Sequence, residues 1–523
     1  MAQNETRNEL EVRAKKVDDL RSLGIEPYPS EAFKRSHRAQ QIHDRFSEPG
    51  RELANGETDP EELPLRVCGR ITFKRDSGSI GFIGLTDASG TIQLKIEKKL
   101  VKGDPGLSFN QIKKLLDIGD FVGVEGIGCR TNRGELSVQV SRLDVLSKAT
   151  IPFPDSYYGI NDPELCRRHR EIDLVSNAAS LQRFKLRSRI LRSIRTYLWN
   201  AGFDEIETPV LQVIYGGAAA RPFITHHNTL DIDLYLRIAT ELFLKRAVCG
   251  GMERVFEIGR VFRNEGIDST HNPEFTSIEV YQAYADYFEI MVLVEDLICA
   301  VAADVLGDKT EIEYQGDTIS LDRKYDYSDT HPSLTGKHWR IKTMVEAVRD
   351  ETGLDFDSLN LTEAKEKAEE IGVRLTDLNT QSLGYLLYAV FDQKVESTLM
   401  EPTFVIDFPV EVSPLAKRHR SKPGFVERFE LFIHGTEYSN GFSELNDPVD
   451  QRKRFEEQLA QKTAGDDEAH PMDEDFIQAL SLGMPNCGGM GIGVDRLVMF
   501  LTDTQSIRDA ILFPTMRSSM LES

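Results

Sequence analysis

Cysteine is scarce in this chain, and no two cysteines form a CxxC pair. The 523 residues include six cysteines, at positions 68, 129, 166, 249, 299 and 487. This spacing predicts neither a zinc knuckle nor a disulfide framework. Scattered single thiols are typical of a reducing compartment, so we expect a cytoplasmic protein.

Long apolar runs are also missing. The first residues contain no apolar segment of the kind that a signal peptide needs. The most apolar long stretch, residues 288–306, is interrupted by Glu289, Glu295, Asp296 and Asp304. These charges predict an amphipathic helix there and exclude a membrane span, so we expect no membrane partner.

Positive charge is in deficit over the whole chain, which has 85 acidic and 63 basic residues and a formal net charge of -22. This balance argues against a histone-like nucleic-acid binder. Residues 66–150 differ, because their 14 Lys and Arg against nine Asp and Glu leave a local charge of +5. A basic segment on an acidic protein is where we expect a nucleic acid to bind.

The chain divides into three regions by pattern. Residues 1–65 are predicted to form an N-terminal helix and a connecting arm. Residues 66–150 contain five short strand-like runs separated by turns, which predict a small closed all-β barrel of the oligonucleotide-binding (OB-fold) kind. Residues 151–523 mix helices and strand pairs without a regular βαβ repeat, which predicts an α+β domain on an antiparallel sheet, with a helical insertion near residues 350–400.

Residues 184–211 predict a helix followed by a strand that runs into Pro209. Gly202 ends the helix. One apolar helical stripe is formed by Leu181, Phe184, Leu191, Ile194 and Leu198. An ordinary core helix would show the same pattern.

Residues 253–287 carry more information, because they read as strand, polar loop and strand. The alternation of strand side chains places four residues on one face, Phe275, Ser277, Glu279 and Tyr281. On the opposing strand, Glu257 and Arg263 are an even number of residues apart, so their side chains are predicted to lie on the same face. An arginine fork suits a phosphate or a carboxylate, and a phenylalanine face suits a purine base. Taken alone, an arginine such as Arg263 is more often a surface or structural ion-pair residue, and the cluster around it favours a binding role.

Residues 428–447 predict a hairpin that turns near His434 and Gly435. Glu430 and Glu437 flank the turn and could share a magnesium ion, which prefers oxygen ligands. Strand alternation places three residues on one face, Asn440, Phe442 and Glu444. Glu437 is out of phase with them, so a bulge or bend is needed. A solvated acidic hairpin is the alternative.

Residues 488–501 place a glycine run before an apolar helix. The spacing is wrong for a dinucleotide-binding fingerprint, and no βαβ unit precedes it. Arg496 would stand near the start of the helix. Its alternative role is an ion pair with Asp495.

These blocks, in this order, resemble the class II aminoacyl-tRNA synthetases, and the subclass with an N-terminal OB-fold barrel fits best. Within it the lysyl-tRNA synthetases match most closely, from about residue 10 onward. The resemblance rests on GGAAARPFITHHN (216–228), FRNEG with HNPEF (262–266 and 271–275), EVSPLA (411–416) and NGFSELND (440–447).

The resemblance implies a homodimeric enzyme in which residues 184–211 form the subunit interface. It would activate L-lysine with ATP and transfer it to the 3'-terminal adenosine of tRNA(Lys), with up to three Mg²⁺ ions per subunit. A pocket of carboxylates and a phenol independently suits a cationic side chain. One alternative is an enzyme that attaches lysine to a protein, although such relatives usually lack the barrel. Another is a non-catalytic paralog that binds tRNA or senses lysine.

The resemblance also implies roles for individual residues. The catalytic residues would be Arg263 and Arg496. ATP would be bound by Arg263, Glu265, His271, Asn272, Phe275, Glu430 and Arg496. Lysine would be bound by Gly216, Glu241, Arg263, Glu279, Tyr281, Asn440, Phe442 and Glu444. Magnesium would be held by Glu430 and Glu437. The anticodon would be read by Arg75, Phe82, Gln93 and Glu135.

The sequence departs from the family pattern at a few positions. Tyr215 and Thr240 each replace a common proline, and Thr270 replaces an arginine that many bacterial members have. The last change puts one phosphate contact in doubt. Residues 486–488 vary a Pro-Thr-Ala stretch. No departure removes a residue with an implied chemical role.

Overall fold

The computed structural model describes residues 2–101, 103, 106–152, 162–307, 309–463 and 471–517. The chain divides into two compact units, residues 1–161 and 162–523. Among the described residues, no helix is long and apolar enough to cross a membrane.

The first unit is a barrel with three helices. Its elements are α1 (Ala2–Ser22), α2 (Ala39–Arg45), β1 (Leu65–Ser77), β2 (Ile80–Asp87), β3 (Gly90–Glu97), α3 (Phe109–Leu115), β4 (Phe121–Arg130) and β5 (Leu136–Ser147). The strands close in the order β1-β2-β3-β5-β4. This confirms the predicted five-stranded barrel. Parallel pairing of β3 with β5 completes the closure, and inward-pointing aliphatic side chains fill the interior.

The second unit begins with helices and short strands that lead to the central sheet. Its first elements are α4 (Pro163–Arg168), α5 (Arg170–Ser176), α6 (Ala178–Asn200), β6 (Asp204–Glu205), β7 (Leu211–Gln212), β8 (Ile224–His227), β9 (Ile232–Leu236), α7 (Glu241–Cys249), β10 (Arg254–Phe262), β11 (Glu274–Ala283) and α8 (Tyr287–Leu306). The strand predicted to run into Pro209 is therefore only two residues long.

The rest of the unit adds the helical insertion and completes the sheet. The elements are β12 (Glu311–Tyr314), β13 (Asp317–Ser320), β14 (Tyr325–Asp326), β15 (Lys337–His338), β16 (Arg340–Thr343), α9 (Met344–Thr352), α10 (Leu361–Glu370), α11 (Leu383–Lys394), β17 (Thr403–Pro409), β18 (Phe425–Ile433), β19 (Thr436–Ser443), α12 (Pro448–Thr463), α13 (Glu474–Ser481), β20 (Cys487–Gly493), α14 (Val494–Leu501) and α15 (Ile507–Ala510).

The central sheet has eight strands in the order β16-β17-β18-β19-β20-β11-β10-β6. Its interior is antiparallel, as predicted, but both edge pairs are parallel. The sheet is therefore antiparallel across its six inner strands and parallel only in the pair at each edge. Parallel neighbours need a crossover connection, and here helices supply it, because α9, α10 and α11 separate β16 from β17 and α7 separates β6 from β10.

One face of the sheet is packed against α6 and α8. Ile278 and Val280 of β11 point into this core together with Ile194 and Leu198 of α6. Since side chains alternate along a strand, the odd-numbered residues of β11 face the opposite side. The side chains of β11 that are free to bind a ligand therefore lie on that opposite face.

The predicted stripe of α6 was partly wrong. Phe184, Ile194 and Leu198 are buried, but Leu181 is 37% exposed, and Leu191 is only partly buried. Ile190 and Arg187 take the inner positions instead. The 3.6-residue period, extended back from Leu198, passes through these two residues.

Candidate active site

A cavity of about 310 Å³ opens on the free face of the central sheet. Strands β11, β19 and β20, the loop after β10 and the start of α14 supply its walls. Thirteen of the residues to which the resemblance gave roles line it: Glu241, Arg263, Glu265, His271, Asn272, Phe275, Glu279, Tyr281, Glu437, Asn440, Phe442, Glu444 and Arg496. Gly217 lines the cavity next to the buried Gly216.

Strand β11 supplies the floor, and its odd-numbered residues line the cavity as their parity predicts. The Glu279 carboxylate accepts hydrogen bonds from the Thr240 backbone N–H at 3.0 Å and from the Tyr281 hydroxyl at 3.2 Å. Burial, assisted by the nearby Glu241 carboxylate, raises the pKa of Glu279 to about 7. Among the described residues, no cation lies within 4.0 Å of this carboxylate, so its ionised form is disfavoured when the cavity is empty.

Arg263 follows β10 and lies over the floor. Its guanidinium carbon is 5.2 Å from the centre of the Phe275 ring, and burial lowers its pKa. Among the described residues, Arg263 forms no ion pair within 4.0 Å. In the described part of the chain, Arg263 therefore does not have the structural ion-pair role that the sequence left open, and its partly buried guanidinium is available to an anion in the cavity.

Arg496 lies on the wall at the start of α14. Its guanidinium donates a hydrogen bond to the Glu437 carbonyl at 2.7 Å and lies 3.5 Å from the Glu437 carboxylate. It also approaches Nε2 of His271 at 3.5 Å. The adjacent Asp495 pairs with Arg187 at 2.5 Å. Arg496 is therefore directed to the cavity, and the Asp495–Arg496 pair considered from sequence is not the arrangement found.

The loop before β11 presents His271 and Asn272. Nδ1 of His271 lies 2.9 Å from the Asp268 carboxylate. Nδ2 of Asn272 donates a hydrogen bond to the Glu274 carbonyl at 2.6 Å. Its Oδ1 atom is buried and accepts no hydrogen bond within the described residues. A buried acceptor of this kind is costly unless a ligand donates to it.

The hairpin of β18 and β19 turns at His434 and Gly435, both with positive φ angles, 51° and 65°. Phe432 pairs with Glu437, whereas Leu431 pairs with Ser439, so Tyr438 is an extra residue on β19. This β-bulge is the irregularity that the alternation required. It brings Glu437 to the same face as Asn440, Phe442 and Glu444.

An acidic cluster stands beside the hairpin. Burial raises the pKa of Glu430 to about 8. The carboxylates of Glu437 and Glu396 add to this rise, and the Arg428 guanidinium, 2.5 Å away, opposes it. Burial and Glu437 likewise raise the pKa of Glu396 to about 7. Glu396 was not predicted, because it belongs to a short 3-10 helix at the end of the insertion, where strand alternation gives no signal.

A second residue that the sequence argument missed is Lys245. Its side chain is fully buried and forms ion pairs with Glu241 and with Glu444. Glu241 and Lys245 are four residues apart on α7, the spacing at which helix side chains meet. That spacing was the available signal.

The barrel places three of the four predicted anticodon residues on one face. Arg75 stands opposite Phe82, and Gly84 stands opposite Gln93. Gln93 donates a hydrogen bond to the Ser137 hydroxyl at 2.9 Å. Glu135 lies in the adjoining turn, where its carbonyl accepts from that same hydroxyl.

Lys95 and Phe73 share this face of the barrel, although neither was predicted. Lys95 stands opposite Phe82, and Phe73 lies against Gly84, where an added Cβ would be 2.3 Å from its ring. An aromatic ring flanked by cations suits stacking with a nucleic-acid base.

Comparisons with known proteins agree with this geometry. A family model described as tRNA synthetases class II (D, K and N) matches residues 162–517. A model described as an OB-fold nucleic acid binding domain matches residues 65–146.

Similar proteins extend over nearly the whole chain. A lysine–tRNA ligase of Nostoc sp. is 50% identical over 510 residues, which cover 97% of this chain and 87% of that protein. One from Thermosynechococcus vestitus is 50% identical over 513 residues, 97% of each chain. One from Bacillus subtilis is 46% identical over 514 residues, 98% of each chain. The chain therefore belongs to the class II tRNA synthetases of the D, K and N group, in the family of the lysine–tRNA ligases.

Proposed function

We propose that the cavity joins L-lysine to AMP at the expense of ATP, and that the barrel unit binds the tRNA(Lys) that receives the lysine. The observation that carries this proposal is the division of one cavity into two ends. Arg263, Arg496 and Phe275 suit a nucleotide, whereas a group of buried carboxylates suits a cationic amino acid. The name lysine–tRNA ligase, shared by the relatives, supports the same reaction.

The amino acid would lie at the carboxylate end. Glu241 and Gly216 would receive its α-amino group. Glu279, Tyr281 and Glu444 would receive the side-chain ammonium. Asn440 and Phe442 would shape the channel between these two points.

ATP would lie at the other end. Phe275 and Arg496 would hold the adenine between them, and the unsatisfied Oδ1 of Asn272 would help to place the base. Glu265 and His271 would complete the ATP site, with His271 close to the outer phosphates. Arg263 would contact both the α-phosphate and the lysine carboxylate, because it stands between the two ends.

Activation needs no protein base. Both reacting groups are anionic, so the main task of the protein is to offset their repulsion and hold them in line. Arg263 and Arg496 do this. The lysine carboxylate attacks the α-phosphate and releases pyrophosphate, which gives lysyl-adenylate. A ribose hydroxyl of the terminal tRNA adenosine then attacks the mixed anhydride and releases AMP.

Magnesium fits the acidic cluster. Within the described residues, no group of three or more His, Cys, Asp or Glu side chains is arranged as a complete metal site. Glu430 and Glu437 supply oxygen ligands for a partial site, and Mg²⁺ usually combines one or two carboxylates with substrate phosphates. Up to three ions per subunit would bind in this way with ATP. When bound, Mg²⁺ neutralises phosphate charge.

A homodimer is supported by an apolar surface next to residues 184–211, the segment for which the resemblance implies a subunit interface. Large side chains on and around strands β7, β8 and β9 are exposed, among them Val213 at 67%, Ile224 at 65% and Leu230 at 62%. Apolar patches on a soluble domain commonly mark an interface. We assign this surface to a second copy of the chain. The substrates and the free thiols suit the cytoplasm.

Amino-acid-dependent ATP–pyrophosphate exchange tests the reaction. We expect exchange with lysine and little with other natural amino acids, and we expect charging of tRNA(Lys). Exchange without tRNA charging would favour an enzyme that attaches lysine to another acceptor. No exchange by folded protein would favour the non-catalytic alternative.

Arg263→Ala tests the site itself. We expect exchange to fall by at least about 100-fold, since the variant loses a charge contact made in the transition state. Arg260→Ala is the matched control, because Arg260 lies three residues earlier, on β10, and forms a half-exposed ion pair with Glu274 at 3.7 Å. Near-normal exchange in folded Arg263→Ala would remove this residue from the catalytic role.

A further inference from the structure

Lys245 of α7 is buried behind the carboxylate end of the cavity. Its side chain has 0% exposure, and its ammonium pairs with Glu241 one helical turn earlier and with Glu444 just after β19. The same ammonium lies 5.1 Å from the centre of the Phe442 ring. All three of these neighbours line the cavity, so Lys245 contacts the wall from the side away from the substrate.

The charges at this end of the cavity form a simple balance. Glu241, Glu279 and Glu444 are three carboxylates, and Lys245 offsets one of them. When all three carboxyls are ionised, the remaining charge of -2 is balanced by the +2 of the two ammonium groups that free lysine carries. Its carboxylate is left for Arg263. An amino acid with a neutral side chain would leave one buried carboxylate uncompensated, which is costly in a site that excludes water.

Glu444 shows why the internal cation matters. Its side chain is fully buried, and neither carboxylate oxygen accepts a hydrogen bond with good geometry among the described residues. Burial raises its pKa, and the Lys245 ammonium opposes that rise. Without this cation, Glu444 would be protonated more readily and would lose its attraction for an ammonium group.

We propose that Lys245 is a positioning residue for amino-acid recognition, which holds Glu241 and Glu444 at a set separation and offsets one charge, so that the cavity selects an amino acid with two ammonium groups. This inference rests on the lysine site proposed above. A purely structural role would require only that the ion pairs support the fold. The positioning role that we propose for Lys245 requires, in addition, that lysine binding depends on these ion pairs.

Lys245→Met tests the proposal, because methionine keeps most of the volume and removes the charge. In pyrophosphate exchange we expect the KM for lysine to rise by about 10-fold or more at neutral pH, since a buried carboxylate loses its partner. The KM for ATP should change by less than about twofold. In Lys245→Met, Glu444 should also lose its proton at a higher pH than in the wild type, so the lysine KM of the variant should go on falling above the pH at which Glu279 ionises. An unchanged lysine KM and pH profile in the folded variant would overturn the proposal.

Lys148→Met is the matched control. Lys148 is equally buried and also pairs with two carboxylates, Asp117 and Asp120, but it belongs to the barrel unit. We expect this variant to lower the melting temperature without changing the lysine KM. An equal rise in lysine KM in both variants would show a general effect of losing a buried lysine and would also overturn the proposal.

Glu279→Gln separates this inference from the proposed lysine site. If Glu279→Gln raises the lysine KM and Lys245→Met does not, the site stands and the role of Lys245 fails. If neither variant changes the lysine KM, the site itself is wrong.

A paired variant covers the case in which Lys245→Met does not fold. Lys245→Met with Glu444→Gln removes one charge of each sign and leaves two carboxylates for two ammonium groups. We expect its lysine KM to be no higher than that of Glu444→Gln alone. A further rise of about 10-fold over that single variant would contradict the charge balance.

Discussion

At the scale of single residues, Glu279 is buried, interacts with Glu241 and has no cation of its own within 4.0 Å among the described residues. Its pKa of about 7 lies well above the ordinary value of 4.5. Ionisation of Glu279 is therefore unfavourable in the empty cavity and becomes favourable when an ammonium group arrives. The free energy of unfolding of the empty protein should fall as pH rises from 4.5 to about 7, because in that range the folded state keeps the proton of Glu279 and the unfolded state has lost it; above about 7 the loss is complete.

A pH dependence follows for lysine binding. Below about 7 the carboxyl is protonated and must lose its proton before it can pair with lysine, so the lysine KM should fall as pH rises through about 7 and then level off. Pyrophosphate exchange at saturating ATP on both sides of neutrality measures this. Glu279→Gln should have a higher KM and lack this inflection. Persistence of the same inflection in the variant would assign it to another group.

At the scale of elements, one buried ion pair ties together α6, β11 and α14. Arg187 of α6 pairs with Asp495 at 2.5 Å. The other oxygen of Asp495 accepts the Thr276 backbone N–H at 2.6 Å. This arrangement holds the floor strand and the start of the helix that carries Arg496.

Removal of this ion pair should lower both the stability and the activity of the protein. Arg187→Met leaves the buried Asp495 without a cation, so we expect the free energy of unfolding to fall by about 3–5 kcal/mol. Arg189→Met, on the same helix, removes only an exposed pair with Asp304 and should cost less than about 1 kcal/mol. Urea unfolding of both variants measures the difference. Equal losses would mean that burial of the Arg187 pair does not determine its contribution.

At the scale of the whole molecule, our proposal assigns recognition of tRNA and activation of lysine to separate units. The barrel unit, residues 1–161, has its own core, and the described part of residues 162–523 contains the whole cavity. A change on the barrel face should therefore affect tRNA and leave activation of lysine intact.

Phe82→Ala tests this separation. Stacking on an aromatic ring contributes about 1–3 kcal/mol per base, so we expect kcat/KM for tRNA charging to fall by about 5- to 150-fold. Pyrophosphate exchange should stay nearly unchanged. Phe121→Ala is a control, since Phe121 is 38% exposed on β4, and its ring packs under Arg70 away from Phe82. A parallel loss of exchange in Phe82→Ala would show that the barrel is not an independent recognition unit.

Assembly can be tested at the same scale. Light scattering should give about twice the 59.1 kDa mass of the chain. The double variant Val213→Asp and Ile224→Asp should shift the mass toward one chain, because buried charge is costly in an apolar interface. An active enzyme of single-chain mass would contradict the dimer, and an unshifted dimer in the variant would place the interface elsewhere.

The sequence alone determined the features that depend on local pattern. Five alternating runs predicted the barrel, strand parity predicted the shared face of Phe275, Glu279 and Tyr281, and the glycine run before an apolar helix predicted that Arg496 stands near the start of that helix. The need for an irregularity near Glu437 was also visible as a break in alternation. Each of these follows from a two-residue or 3.6-residue period, which the order of residues carries directly.

The tertiary structure decided what depends on contacts between distant segments. It showed that Tyr438 is the bulged residue, that the sheet edges are parallel, that Asp495 pairs with Arg187, and that Glu396 joins the acidic cluster. Contacts between different elements, such as that of Arg187 with Asp495, 308 residues later, leave no periodic trace in the sequence. The Lys245–Glu444 pair is the clearest case, because only the fold brings an internal cation against the carboxylate that we assign to the substrate lysine.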